Sequence, residues 1–288
     1  MKYTQDNPPL QCLMTHSTCW NGTSYMNPVG VLWHSTGTPN PNLKRYVQPY
    51  YGDNGYDYLI NYLGYNSSGN DWNHSYQAAG VNAWVGKAAN REVTSVQTLY
   101  YNMKPWGCGG ALNSTHVQFE IAEPESLYDE DYTMKAYKEA CELTAYICDL
   151  YNIDPWGYHN IAGYNIPNIT CHYQASQYGS YFATCHADVL HWFPMYGIDM
   201  NTIRNDVQAI LDGKDQEEEE VTQEEFNSKM NTYLAQLAKE STSDWAKDAV
   251  KYCQDNGILV GDESGNMMSR KFVTREELAA ITQRLLEK

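Results

Sequence analysis

The chain has 288 residues, a formal net charge of −16, a sequence pI of about 4.8 and 42% hydrophobic residues. The apolar share suffices for a core, and the acidic balance excludes the basic field with which nucleic-acid binders displace phosphate counterions, so no nucleic-acid partner is expected. No run of about 18 apolar residues exists to insert in a membrane, and the start Met1-Lys2-Tyr3-Thr4-Gln5-Asp6-Asn7-Pro8 lacks the apolar stretch of a signal peptide, which predicts synthesis in the cytoplasm.

Taken in chain order, Val29-Gly30-Val31-Leu32-Trp33-His34 reads as a buried strand closed by a turn at Ser35-Thr36-Gly37. Ala83–Gly86 and Val96–Tyr100 are further strand candidates. In Val117-Gln118-Phe119-Glu120-Ile121 the alternation sets Val117, Phe119 and Ile121 on one face and Gln118 and Glu120 on the other, where an active-site carboxylate has room to stand away from the core. Between Tyr132 and Tyr151 the positions Tyr137, Cys141, Thr144, Cys148 and Tyr151 recur at helical spacing, and a second helix is expected from Asn201 to Leu211. Strands mixed with covering helices predict an α/β domain with a mixed central sheet, over residues 1–212.

The polar, acidic run from Asp212 to Glu220 can bury almost nothing and predicts a linker over 213–222. Beyond it the pattern is helical, over residues 223–288. Phe226, Met230, Tyr233, Leu234 and Leu237 form one stripe. Ser243 is placed to cap a helix carrying Trp245, Ala249, Val250 and Cys253 that Gly257 ends, and Thr274 with Glu277 forms a capping box for a last helix. The loop Asp262-Glu263-Ser264-Gly265-Asn266 is excluded as a calcium loop, because its twelfth position is Val273 rather than a bidentate glutamate.

Eight cysteines without a CxxC spacing argue against a disulfide framework and against the commonest cysteine zinc site. Tyr 25, Trp 8 and Phe 5 is a skew that suits sugar and peptide ligands, and equally a tyrosine-rich polar surface. The densest chemistry lies in Thr170-Cys171-His172-Tyr173 and in Gly179–Pro194, which bring together His172, His186, His191 and Asp188, residue types that bind zinc. From the residues alone, hydrogen-bonded histidines and a solvent-facing Glu120 remain the alternatives.

Residues 29–210 resemble the type 2 N-acetylmuramoyl-L-alanine amidases, the superfamily of phage endolysins and peptidoglycan-recognition proteins. The resemblance is carried by Val31-Leu32-Trp33-His34-Ser35-Thr36-Gly37, Asn42-Leu43-Lys44-Arg45-Tyr46, Thr115-His116-Val117-Gln118-Phe119-Glu120-Ile121 and Cys185-His186-Ala187-Asp188-Val189-Leu190-His191-Trp192-Phe193, in that order. It implies Zn2+ held by His34, His172 and Asp188, with Cys185 as a rival third ligand. It implies Glu120 as the catalytic base and His186 as the oxyanion donor, while His191 with Trp192 is better read as support. The implied reaction is hydrolysis, by zinc-bound water, of the amide between N-acetylmuramic acid and L-alanine in phage-type lysis, after release from the host cytoplasm through a separate pore-forming protein. Against the family pattern, Gly107 stands where a substrate-side histidine is usual, Asn82 where histidine is frequent, and Gln174 where glutamate is frequent.

Ser241–Leu286 resembles an S-layer-homology module through Trp245-Ala246, Ala249, Asn256-Gly257-Ile258, Gly261-Asp262, Gly265 and Thr274-Arg275-Glu276-Glu277. That implies attachment to a secondary cell-wall polymer beside peptidoglycan; a structural or oligomerising appendage is the other reading. Two further functions compete for the whole chain. A non-catalytic peptidoglycan-binding protein is disfavoured by the presence of all three metal-ligand candidates, and a zinc peptidase acting on the stem peptide by the absence of HExxH.

Overall fold

A computed structural model describes residues 1–22, 24–213, 223–262 and 266–287. The chain divides into two units, Met1–Asp215 and Gln216–Lys288. Most of the acidic run expected to be a linker, from Lys214 on, lies outside the described residues.

The first unit is built on strands β1 (Leu10–Gln11), β2 (Gly30–Pro39), β3 (Ala83–Lys87), β4 (Val93–Gln97), β5 (His116–Glu123), β6 (Tyr158–Ile161), β7 (Tyr164–Pro167) and β8 (Ile169–Cys171). Its helices are α1 (Thr18–Gly22), α2 (Tyr56–Leu63), α3 (Glu130–Tyr151), α4 (His172–Ser176) and α5 (Met200–Leu211). Six strands form one mixed sheet in the order β1-β4-β3-β5-β2-β8, antiparallel between β3 and β4 and parallel elsewhere; β6 and β7 form a separate hairpin. This is the α/β architecture, a mixed central sheet covered by helices, that the element pattern predicts.

Helix α3 covers one face. Asp129 caps it by accepting the Tyr132 N–H at 3.1 Å, and Asn152, left-handed at φ 54°, ends it. Tyr132, Ala136, Tyr137, Ala140 and Cys141 join Val31, Trp33, Val117, Phe119 and Ile121 of β2 and β5, and α5 adds Ile203, Val207 and Ile210 to that core. The opposite face is covered too, by Leu43, Tyr46, Trp84 and Ala122 in one cluster and by Leu32, Leu112, Ile166 and Phe182 in another. Glu120 lies, as the alternation predicts, on the face opposite Phe119 and Ile121, and that face carries apolar clusters of its own. The first half of β2 is buried on both sides, and its run Val31-Leu32-Trp33 is apolar without alternation, as buried parallel strands are. Its polar neighbours Gln118 and Glu120 occupy a gap between two apolar clusters.

Two strand limits also differ from the sequence expectation. The Ser35-Thr36-Gly37 turn is absent: β2 continues to Pro39 with a register irregularity between Ser35 and Pro39, so His34 lies mid-strand. The strand expected at Val96–Tyr100 instead runs Val93–Gln97, because the hairpin turn closes at Ala88–Glu92 and antiparallel pairing with β3 begins at once.

The second unit holds α6 (Gln223–Lys239), α7 (Lys247–Asp255) and α8 (Arg275–Leu286). Ser243 makes no side-chain cap; a single 3-10 turn, Asp244–Ala246, intervenes before α7. Thr274 and Glu277 form the expected capping box, and Gly257 takes the left-handed conformation at φ 64° just past α7. Among the described hydrophobic residues of this unit, Ile258 alone is buried. No helix among the described residues is long and apolar enough to cross a membrane.

Candidate metal centre

Strand register assembles the site. In the parallel β2–β5 ladder Trp33 pairs with Phe119 and His34 with Glu120, so the first pair enters the core while the second stands side by side on the other face, one strand spacing apart. On the far side of β2, β8 ends with Trp33 opposite Cys171, which sets the next residue, His172, beside His34. His172 opens α4, whose N-cap is Cys171. Asp188 arrives from the following loop and is held by its carbonyl, which accepts the Tyr173 N–H at 2.8 Å.

His34, His172 and Asp188, separated by as many as 154 positions, thus converge, and their donor atoms all lie within 4.8 Å of one another. Asp188 Oδ2 is 3.2 Å from His34 Nδ1 and 3.6 Å from His172 Nδ1, and the two Nδ1 atoms are 3.1 Å apart. All three residues are buried. Two imidazole nitrogens facing each other at that distance cannot both carry a proton, and with the carboxylate they make a donor set of the kind that can hold a divalent metal. The residues present therefore fit zinc.

Charge follows the same geometry. Burial opposes ionisation of Asp188, but its closeness to the His172 and His34 rings outweighs it and holds the carboxyl far below its usual range. Glu120 is the reverse case. Its Oε2 is buried without a hydrogen-bond partner among the described residues, and burial first, then the nearby Asp188 and Glu123, pushes its carboxyl well above the ordinary range. Glu123 is drawn up by burial, but contacts with His191, Ser35 and the Gly37 N–H prevail and keep it low. The partner His191, 3.1 Å away, is raised, first by its bond to Glu123. Glu123 thereby ties the end of β2 to the loop that carries Asp188 (Ser35 Oγ donates to it at 2.7 Å).

His186 is exposed at the rim. Its ring stacks on His172 at 4.4 Å with an interplanar angle of 6°, and its Nδ1 is 3.7 Å from Asp188 Oδ1. Cys185 is exposed and lies outside the convergent cluster. The three departures have structural partners of their own. Asn82 is buried and donates to the Tyr100 and Met103 carbonyls while accepting the Gln118 N–H. Gln174 accepts from buried Arg204 at 2.8 Å. Gly107 lies against His34 and Gln118. Two neighbours of the cluster went unrecognised in the sequence: Gln118, 2.8 Å from His34 Nε2, and Thr184, 3.1 Å from His172 Nε2. Strand alternation places Gln118 on the right face, and Thr184 lies inside the histidine-rich segment; only the assembled fold gives them partners.

Fold and cluster define a class: an α/β domain with a half-buried glutamate beside two histidines and an aspartate that can share a metal ion. Residues 24–185 match the family profile described as N-acetylmuramoyl-L-alanine amidase, and residues 238–279 match the S-layer homology domain. The first match spans more than half of the chain, and the chain belongs to the N-acetylmuramoyl-L-alanine amidase family. That match stops three residues short of Asp188. Among solved structures, the chain is similar to the Staphylococcus aureus hydrolase AmiA in complex with its ligand, at 20% identity over 74% of this chain and 83% of that one, with a TM-score of 0.44. It is also similar to PlyL, at 15% identity over 69% of this chain and 96% of that one, TM-score 0.44. A mutant endolysin from Bacillus subtilis is similar at 17% identity over 67% of this chain and 97% of that one, TM-score 0.39. No curated protein matches the chain.

Proposed function

We propose that this member of the amidase family is zinc-dependent and cuts the amide between the lactyl group of N-acetylmuramic acid and L-alanine. The observation that carries the reading is the convergence of His34 Nδ1, His172 Nδ1 and Asp188 Oδ2 beside Glu120, whose Oε2 is buried. Bound there, zinc would supply Lewis acidity, polarising the amide carbonyl and acidifying a water molecule. Glu120 accepts a proton from the water that attacks the amide carbon, a desolvated carboxylate being a stronger proton acceptor than a solvated one, and hands it on to the departing amine. His186, exposed at the mouth, donates a ring N–H to the carbonyl oxygen as it becomes tetrahedral. His34, His172 and Asp188 serve as ligands and take no part in proton transfer.

The S-layer homology domain holds the enzyme on a secondary wall polymer and so raises its effective concentration at peptidoglycan. The cellular setting we propose is phage-type lysis, with the chain made in the host cytoplasm and reaching the wall after release. The deciding experiment is incubation with purified peptidoglycan followed by end-group analysis, with and without a chelator. New N-terminal L-alanine that disappears with chelation and returns with zinc is expected. New amines on another stem residue would make the chain a peptidase, and no released groups would leave it a wall-binding protein.

A further inference from the structure

The outward-facing nitrogens of the two histidines end in hydrogen-bond chains that start from one peptide segment. On the first chain, the Cys108 backbone N–H lies 3.0 Å from Asn113 Oδ1. A backbone N–H only donates, so that oxygen accepts, and it accepts also from Gln118 Nε2 at 3.0 Å. With its NH2 committed there, Gln118 must present Oε1 to His34 Nε2 at 2.8 Å, and an amide oxygen only accepts. His34 therefore carries its proton on Nε2 and leaves Nδ1 bare toward Asp188 and His172.

The second chain runs through the carbonyl of the same residue. Thr184 Oγ1 donates to the Cys108 oxygen at 3.2 Å, beside the Thr184 N–H, which donates to the same oxygen at 2.8 Å. A lone pair remains for His172 Nε2–H at 3.1 Å, and His172 Nδ1 is bare as well.

We infer that the Cys108 backbone sets the tautomer of both metal-ligand histidines, through Asn113 and Gln118 for His34 and through Thr184 for His172, making Gln118 and Thr184 positioning residues. The inference rests on the zinc reading above. It also changes the meaning of position 107. A Cβ on Gly107 would stand 2.3 Å from Gln118 Oε1 and 3.0 Å from His34 Nε2, so a side chain there collides with the contact that orients the ligand. Gly109, left-handed at φ 69°, would with a Cβ stand 2.7 Å from Thr184 Cγ2. The histidine expected at 107 is thus replaced by space that Gln118 requires.

The test is zinc affinity of the full chain, measured by competition with a chromophoric chelator, together with NMR of the zinc-loaded imidazoles. Gln118→Met should weaken zinc binding about 10- to 100-fold, the usual size for losing a partner that orients a metal ligand. Gly107→Ala should weaken it comparably, and should add little in a Gln118→Ala background, where the colliding oxygen is gone. At the exposed rim Thr184→Val should cost less, about tenfold at most, and Thr184→Ser should restore wild-type affinity. Zinc-loaded wild type should show His34 and His172 protonated on Nε2. Ligation through Nε2, or full affinity retained by Gln118→Met, Gly107→Ala and Thr184→Val, would overturn the relay while leaving the zinc reading intact. A wild-type chain that binds no zinc would overturn both.

Discussion

Replacing Glu120 by glutamine separates what the site does from what it costs. A carboxyl whose pKa rises on folding binds protons more tightly in the folded state, so above its ordinary value of 4.5 it subtracts from stability. Glu120 is in that position, with a buried Oε2 that has no hydrogen-bond partner among the described residues. An unsatisfied buried polar atom costs about 1–3 kcal/mol. Glu120→Gln keeps the shape and the unpaired polar atom but replaces a buried charge, whose desolvation costs more, by a neutral amide, so about 1–2 kcal/mol should be regained. For a unit of this size that is a rise in Tm of about 2–8 °C, shrinking as pH falls through 4.5, below which both states are protonated. The same change removes the proton acceptor, and turnover on peptidoglycan should fall about 10²- to 10⁴-fold with zinc content unchanged. Thermal unfolding at pH 5 and pH 8, run beside N-terminal alanine release, reads both effects. Retained activity with a lowered Tm would refute the account of Glu120 as a strained base.

Gln174→Glu should give the buried Arg204 guanidinium, now bonded to Gln174, Asn201 and the Ile169 carbonyl, a charged acceptor. About 1 kcal/mol of added stability at pH 7, lost on acidification to pH 4, is the expected thermal-unfolding result. The His191–Glu123 pair has its own window. The raised His191 contributes fully below 6.5 and less as pH rises through its folded value, and the lowered Glu123 contributes above 4.5 and less as pH falls through its own. The stability deficit of His191→Gln should therefore be greatest near pH 5.5, about 0.5–1 kcal/mol after solvent screening, and should narrow by pH 9. Removing residues 223–288 should weaken sedimentation with cell walls more than it lowers turnover on soluble muropeptide; equal losses on both would argue against a targeting role.

Much of the site was legible because its residues are chemically loud. A histidine ending the apolar run Val31–Trp33, a glutamate in a strictly alternating strand and a histidine-rich segment before Trp192 each stand out along the chain. Their convergence was not legible from spacing, since it depends on β2 pairing in parallel with both β5 and β8, contacts that close loops of about 80 and 140 residues and leave no local trace. Helix α3 and the Thr274 capping box were readable because their signals lie within a few turns of one helix. The Ser243 cap failed for a related reason: a capping residue type permits a helix start, while the 3-10 turn at Asp244–Ala246 decides where α7 begins.

Alternation in β5 suggested one core face and one open face, yet both faces are covered. That difference explains why Gln118 escaped notice. On a solvent face a glutamine needs no partner, whereas between two apolar clusters its amide must be satisfied, and the groups that satisfy it are His34 and Asn113. The same reasoning applies to Gly107. Set against an expected pattern it registers as a lost histidine, because a comparison of residue types records what a position lacks. What the position admits is visible only once Gln118 Oε1 is located beside it, and by that measure the glycine belongs to the machinery that aims His34.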